Sequence, residues 1–252
     1  MPVLRTKTSR MWLPDALRGL ALLNMLAYHA MYDWVYVFGH ESSWYNIWAP
    51  GCHVWQQYIC WSFILLSGFS FPLAKRPAKN GLIVAGCAAV LTFVTAVFMP
   101  SEAIWFGVLH LNAAAVLLTC LVYPLLQRLP AGAGLAASAA LFALTNQLPE
   151  GYLGFENWRL CAVPAGLYRA NLFWLGLPDL PRFTSADYFP VVPWVFLFWC
   201  GVFLARLWRP GRGEPPAALR PLCAIGRNTL LVYMLHQPVI YGALWVWHTV
   251  LG

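Results

Sequence analysis

Seven predominantly apolar stretches of roughly 18 or more residues follow one another along the chain, near 13–32, 53–74, 81–99, 104–126, 132–148, 189–207 and 224–249. A helix needs about that length to cross the hydrocarbon core of a bilayer. The pattern therefore predicts an all-α, polytopic integral membrane protein with about seven transmembrane helices. The first run is interrupted by Asp15, Arg18, His29 and Asp33. At 100° per residue, the steps from Arg18 to His29 exceed three turns by about 20°, so both fall on one face, roughly 16 Å apart along the axis. Asp33 follows His29 at i+4 and Asp15 precedes Arg18 at i−3, each within side-chain reach on that face. A polar stripe down a membrane helix marks a site or a pathway by default. The stretch from Asp15 to His40 is read as the active-site helix and its outer extension.

The remaining elements are read as support. Ser67, Gly68 and Ser70 near the end of the second helix permit close helix packing, and the fifth helix, rich in Ala and Gly, reads as a packing helix. His110 and Asn112 fall in the outer third of the fourth. Residues 149–188 form a long external segment that combines four prolines (Pro149, Pro164, Pro178, Pro181) with Trp158, Tyr168, Phe173 and Trp174. Long structured loops are often functional, so this one reads as a lid or partly re-entrant element. No internal repeat or soluble domain interrupts the pattern, and 1–252 is read as one membrane-embedded domain.

Composition sharpens this. Of 252 residues, 60% are hydrophobic and 10% charged, well below the charge of soluble domains, which excludes an ordinary soluble enzyme. The net charge of +7 reports topology and not nucleic acid. Twelve of the sixteen Lys and Arg, including Arg5, Lys7 and Arg10 and the 206–227 group, share one side under alternating crossings. The positive-inside rule then puts the N-terminus in the cytoplasm and the C-terminus outside. The tail Met1–Arg10 leads straight into helix one, which reads as its own insertion signal. Seven scattered cysteines make no metal-type pair, and only Cys52 with Cys161 would suit an external disulfide.

The candidate chemistry is acid–base. His29, with Asp33 one turn away to fix its tautomer, suits a general base; its structural alternative is an imidazole bonded to a backbone carbonyl. Arg18 suits an anion contact through its fork, or equally snorkelling and pairing with Asp15. On spacing alone His40 reads as an exposed loop residue and His53 and His248 as interface residues. His110 and His236 read as helix histidines with structural hydrogen bonds. No phosphate loop, nucleophile elbow or metal-ligand spacing is present.

Four blocks, Asp15-Ala-Leu-Arg-Gly-Leu-Ala21, Phe106-Gly-Val-Leu-His110, Ser185-Ala-Asp-Tyr-Phe-Pro-Val-Val-Pro-Trp194 and the run from Ile225 to Pro238, occur in order and cover nearly the whole chain. Through them the chain resembles the membrane acyltransferase superfamily, and specifically the bacterial heparan-alpha-glucosaminide N-acetyltransferase-like (DUF1624) proteins. Arg18 and His29, with ten residues between, also resemble the Arg-x10-His element of acyltransferase-3 enzymes. That resemblance implies a catalytic histidine and an arginine on the acyl-CoA side. Lysosomal members of the first family carry asparagine at the position of His29 and histidine at that of His40, so the resemblance leaves either histidine as the base.

The expectation is a transmembrane acyltransferase of the cell's inner (cytoplasmic) membrane. It would move an acetyl group from cytoplasmic acetyl-CoA to a hydroxyl or amine of a sugar-type acceptor outside. His29 or His40 would be the base, with Asp33 orienting His29 and Asn24 facing the oxyanion. Arg18, Asp15 and Arg227 would serve the donor, and His110, Asn112, Asp187, Tyr188, Trp194 and His236 would complete the pocket. No metal is expected, the bilayer is the expected partner, and a homodimer is left open. The alternative is a proton-coupled transporter using the His–Asp–Arg stripe as its path, which the missing repeat disfavours.

Overall fold

In a computed structural model the described residues are 11–251; Arg5, Lys7 and Arg10 of the charge asymmetry lie outside them. The helices are α1 (Trp12–Tyr32), α2 (Pro50–Ser70), α3 (Pro77–Phe98), α4 (Val108–Arg128), α5 (Ala131–Thr145), α6 (Val191–Leu207), α7 (Arg220–Arg227) and α8 (Thr229–Leu251). Each predicted apolar run is thus helical. The last, expected as one helix over 224–249, is two, because the chain leaves helical geometry at Asn228. Gly226 and Asn228 are poor helix formers, and the Asn228 amide bonds back to the Ala224 carbonyl at 2.9 Å.

Among the described residues, three helices are long and apolar enough to cross a membrane: Pro77–Phe98, Val108–Arg128 and Thr229–Val250. Together they make this a membrane protein. The expected seven spans exceed these three, for two physical reasons. α1 and α2 have the length, but α1 carries Asp15, Arg18, Asn24 and His29 and α2 carries His53, Gln56 and Gln57. α5 and α6, at 15 and 17 residues, are shorter.

The all-α reading also needs correcting. Within 149–188 the chain forms an antiparallel hairpin, β1 (Tyr152–Phe155) and β2 (Trp158–Ala162), with Tyr152 opposite Ala162 and Phe155 opposite Trp158. Glu156 takes a positive φ in the two-residue turn, as tight hairpin turns require. Gly154 sits at an irregularity in the ladder with φ 145°, and a Cβ there would lie 1.8 Å from the Trp158 carbonyl oxygen. Arg159 caps the Tyr152 ring at 4.2 Å.

The chain divides into two compact units, one of the described residues up to Phe63 and from Arg209 onward, the other Ile64–Trp208. In the first, Leu22, Met25 and Ile59 form a core against Leu26, Trp55, Ile225 and Val232. In the second, α6 is buried on most faces through Val195, Phe198, Val202 and Phe203. It packs where small residues let backbones meet. A Cβ on Gly68 would fall 1.8 Å from the Phe198 carbonyl oxygen and one on Gly201 2.0 Å from that of Leu65, while Gly134 lies under the Phe203 ring. All seven cysteines are free thiols, Cys52 and Cys161 included.

Candidate functional site

The first polar group is built on the closest helix contact of the first unit. α1 meets α7 at two glycines: a Cβ on Gly19 would lie 2.1 Å from the Leu222 carbonyl oxygen, and one on Gly226 1.8 Å from that of Asp15. That approach sets Arg227, next to Gly226, over the first turn of α1. The buried Asp15 carboxylate accepts from Arg18 Nη1 at 2.8 Å and from Arg227 Nε at 3.3 Å. Two guanidiniums share this one carboxylate, which satisfies the buried charge. Arg18 is 17% exposed and Arg227 43% exposed. The Arg227 Nη fork makes no other hydrogen bond among the described residues.

The second group lies at the other end of α1. The i+4 spacing led us to expect Asp33 to orient His29; instead both oxygens of the fully buried Asp33 accept from Gln237 Nε2, at 2.9 and 3.0 Å. Asp33 opens a π-helical turn, Asp33–Val37, a feature common at functional sites. His29 is half-buried and faces His236 of α8, with ring centroids 4.8 Å apart. The His236 Nδ1 bonds to the Tyr233 carbonyl of its own helix. A carbonyl only accepts, so Nδ1 carries the proton. The pairing is therefore across helices, His29 with His236 and Asp33 with Gln237. Asn24 is held as well: its Oδ1 accepts from Trp55 Nε1 and its Nδ2 donates to the Leu20 carbonyl, both at 2.9 Å.

His40 is not the exposed loop residue that its spacing suggests. Its ring stacks on Trp34 at 3.9 Å and meets Trp247 and His248 edge-on at 5.7 and 5.6 Å. Its Nε2 is buried without a hydrogen-bond partner. His248, read as an interface residue, is part of this aromatic cluster.

The remaining pocket candidates fall in the second unit and form a joint between the start of α4 and the segment before α6. Asp187 Oδ2 accepts from the Val108 N–H at 3.0 Å, capping α4 from far along the chain. Gly107 is required there, since a Cβ would stand 2.3 Å from Asp187 Oδ2. His110 Nδ1 accepts from the Gly107 N–H at 3.2 Å, so its Nε2 carries the hydrogen and faces Thr92 Oγ1 at 3.0 Å. The Thr92 hydroxyl donates in turn to the Ile104 carbonyl at 2.6 Å. His110 is a satisfied structural histidine. Burial pushes the Asp187 carboxyl up to about 6, the Val108 N–H opposing in part, and pushes the Tyr188 phenol up as well. Tyr188 donates to the Phe173 carbonyl at 2.7 Å, and Trp194 packs against Phe142 and Phe189. Asn112 Nδ2 bonds back to the Val108 carbonyl, leaving Oδ1 buried without a partner.

Sequence reasoning missed Gln237, Trp34 and Thr92. Gln237 alone had a signal, lying beside His236 in a block already singled out.

One end of α1 thus holds an arginine–carboxylate group shared with α7, and the other a histidine facing His236 of α8. The chain belongs to the family described as heparan-alpha-glucosaminide N-acetyltransferase, catalytic, which it matches over residues 10–238. It is thus a membrane acetyltransferase by family, and that membership lends the transporter alternative no support. No curated protein and no solved structure matches the chain.

Proposed function

We propose that this protein transfers an acetyl group from acetyl-CoA to a hydroxyl or amine of a sugar-type acceptor across the inner membrane. The family membership supports the reaction class. The observation that carries the site assignment is the convergence of Arg18 and Arg227 on one buried carboxylate. The half-exposed guanidinium fork of Arg227 suits phosphate oxygens, which Arg binds in bidentate fashion. Acetyl-CoA is a polyanion, so the residues fit it. Arg18 and Arg227 hold its phosphates and Asp15 holds the arginines.

His29 removes the proton of the attacking hydroxyl or amine at the opposite end of α1, and the acetyl group passes to that atom as the thiolate leaves. His40, with a buried ring nitrogen against Trp34, supports the outer aromatic cluster instead of acting as base. The remaining N–H of the Asn24 amide is the candidate donor to the developing oxyanion.

Calorimetry with acetyl-CoA on wild type, Arg18→Ala and Arg227→Ala tests the donor site; each variant is expected to weaken binding about tenfold, on the order of a charge-assisted contact. In transfer assays His29→Ala is expected to lose 10²–10⁴ in kcat, the usual contribution of a general base. Full activity of His29→Ala with loss in His40→Ala would reverse the assignment. Absence of acetyl-CoA binding by folded wild type would sink the donor reading.

A further inference from the structure

We propose that His236 is the positioning residue for His29. Its ring, anchored through Nδ1, presents Nε2 as the acceptor that orients the His29 imidazole and shares its charge when His29 takes a proton. The inference rests on the reading of His29 as base.

The role is open because Asp33 is engaged elsewhere. Both its oxygens face Gln237 Nε2, and it makes no hydrogen bond to His29. A histidine base needs one nitrogen bare toward the acceptor and the other held by a partner, since that partner selects the tautomer and steadies the imidazolium. His236 is buried on α8 and its ring contacts His29 at 4.8 Å between centroids, tilted by 58°. Its Nδ1–H is committed to the Tyr233 carbonyl. A neutral imidazole carries one N–H, so Nε2 holds a lone pair and accepts. The side chain is thus fixed in orientation and tautomer by its own helix before His29 is considered.

A proton on either of two imidazoles in contact disfavours a proton on the other, so they titrate as a coupled pair. The other titratable groups around them are Tyr28 and Asp33 on α1 and its extension, Tyr233 on α8, and Tyr45, which reaches the pair through Tyr28. In this arrangement the pair replaces the histidine–carboxylate couple that the sequence spacing suggests.

The test is ¹⁵N NMR of histidine-labelled protein in detergent, with His29→Ala for assignment, alongside steady-state kinetics. In wild type the His29 and His236 resonances should move together through one shared titration. In His236→Gln, His29 should titrate alone, with its midpoint displaced from that of the wild-type pair. The kcat should fall about 10–100-fold with the KM for acetyl-CoA unchanged, and the acid limb of the pH–rate profile should move with the NMR titration. His236→Asn gives a second variant should glutamine disturb packing. Independent titration of the two rings in wild type overturns the proposal. So does a His236→Gln enzyme with wild-type kcat and acid limb while His29→Ala is inactive. Wild-type transfer by His29→Ala overturns the base assignment beneath it.

Discussion

Asp187 shows how one residue links distant parts of the sequence and makes stability depend on pH. Its carboxyl is raised to about 6 by burial, so the folded protein binds that proton more tightly than the unfolded chain. The associated stability is fully present below about pH 4 and is lost as pH rises toward 6. Asp187→Asn keeps an oxygen for the Val108 N–H and cannot ionise. The stability of the variant relative to wild type should therefore increase between pH 4 and pH 7.5, by up to about 3 kcal/mol. Melting curves at the two pH values check this; a constant difference would mean that the carboxyl does not titrate in that window. At this scale the sequence was legible where partners are local. Asp15 and Arg18, three apart on α1, do pair. Asp33 and His29, four apart, do not, because a competing amide arrives from Gln237. No spacing rule within one helix can see that competitor.

Helix packing here depends on small residues beside charged ones. Gly226 lets α7 touch the α1 backbone at Asp15, and this contact delivers Arg227 to the carboxylate. Gly226→Ala would put a Cβ where the Asp15 carbonyl oxygen stands, so the helices must part. A cost of about 1–3 kcal/mol follows, typical of overpacking, together with a weaker grip on acetyl-CoA. Thermal melting and calorimetry together check this; loss of stability with unchanged affinity would detach Arg227 from the donor site. Element existence was readable from apolar runs at every helix except α7, and Gly68 from its small-residue setting. The hairpin was not. Tyr152–Phe155 and Trp158–Ala162 are too short to stand out by alternation, and their turn, Glu156-Asn157, lacks the Asn-Gly or Asp-Gly signature. The break at Asn228 escaped notice because apolar residues continue on both sides of it.

The charge of the whole molecule predicts how donor binding responds to salt. A polyanion captured by an arginine group on a chain of net charge +7 should bind more weakly as ionic strength rises. An affinity loss of about fivefold is expected between about 0.05 and 0.5 M salt, while the melting temperature changes little because the apolar contacts are unscreened. Salt-independent binding would place the phosphates away from Arg18 and Arg227. The sequence by itself determined that this is a helical membrane protein, where its helices run, and the acyltransferase family to which it belongs. Those properties follow from run length, apolar content and ordered local blocks, which the chain carries without folding. Only the tertiary structure decided which charged and polar groups meet. Asp15 gained a second arginine, Asp33 went to Gln237, His29 met His236, and His110 was spent on the start of α4. Those partners of Asp15, Asp33 and His29 come from other helices, as does Thr92 for His110, and a buried polar group takes whichever complementary donor or acceptor packing brings within about 3 Å.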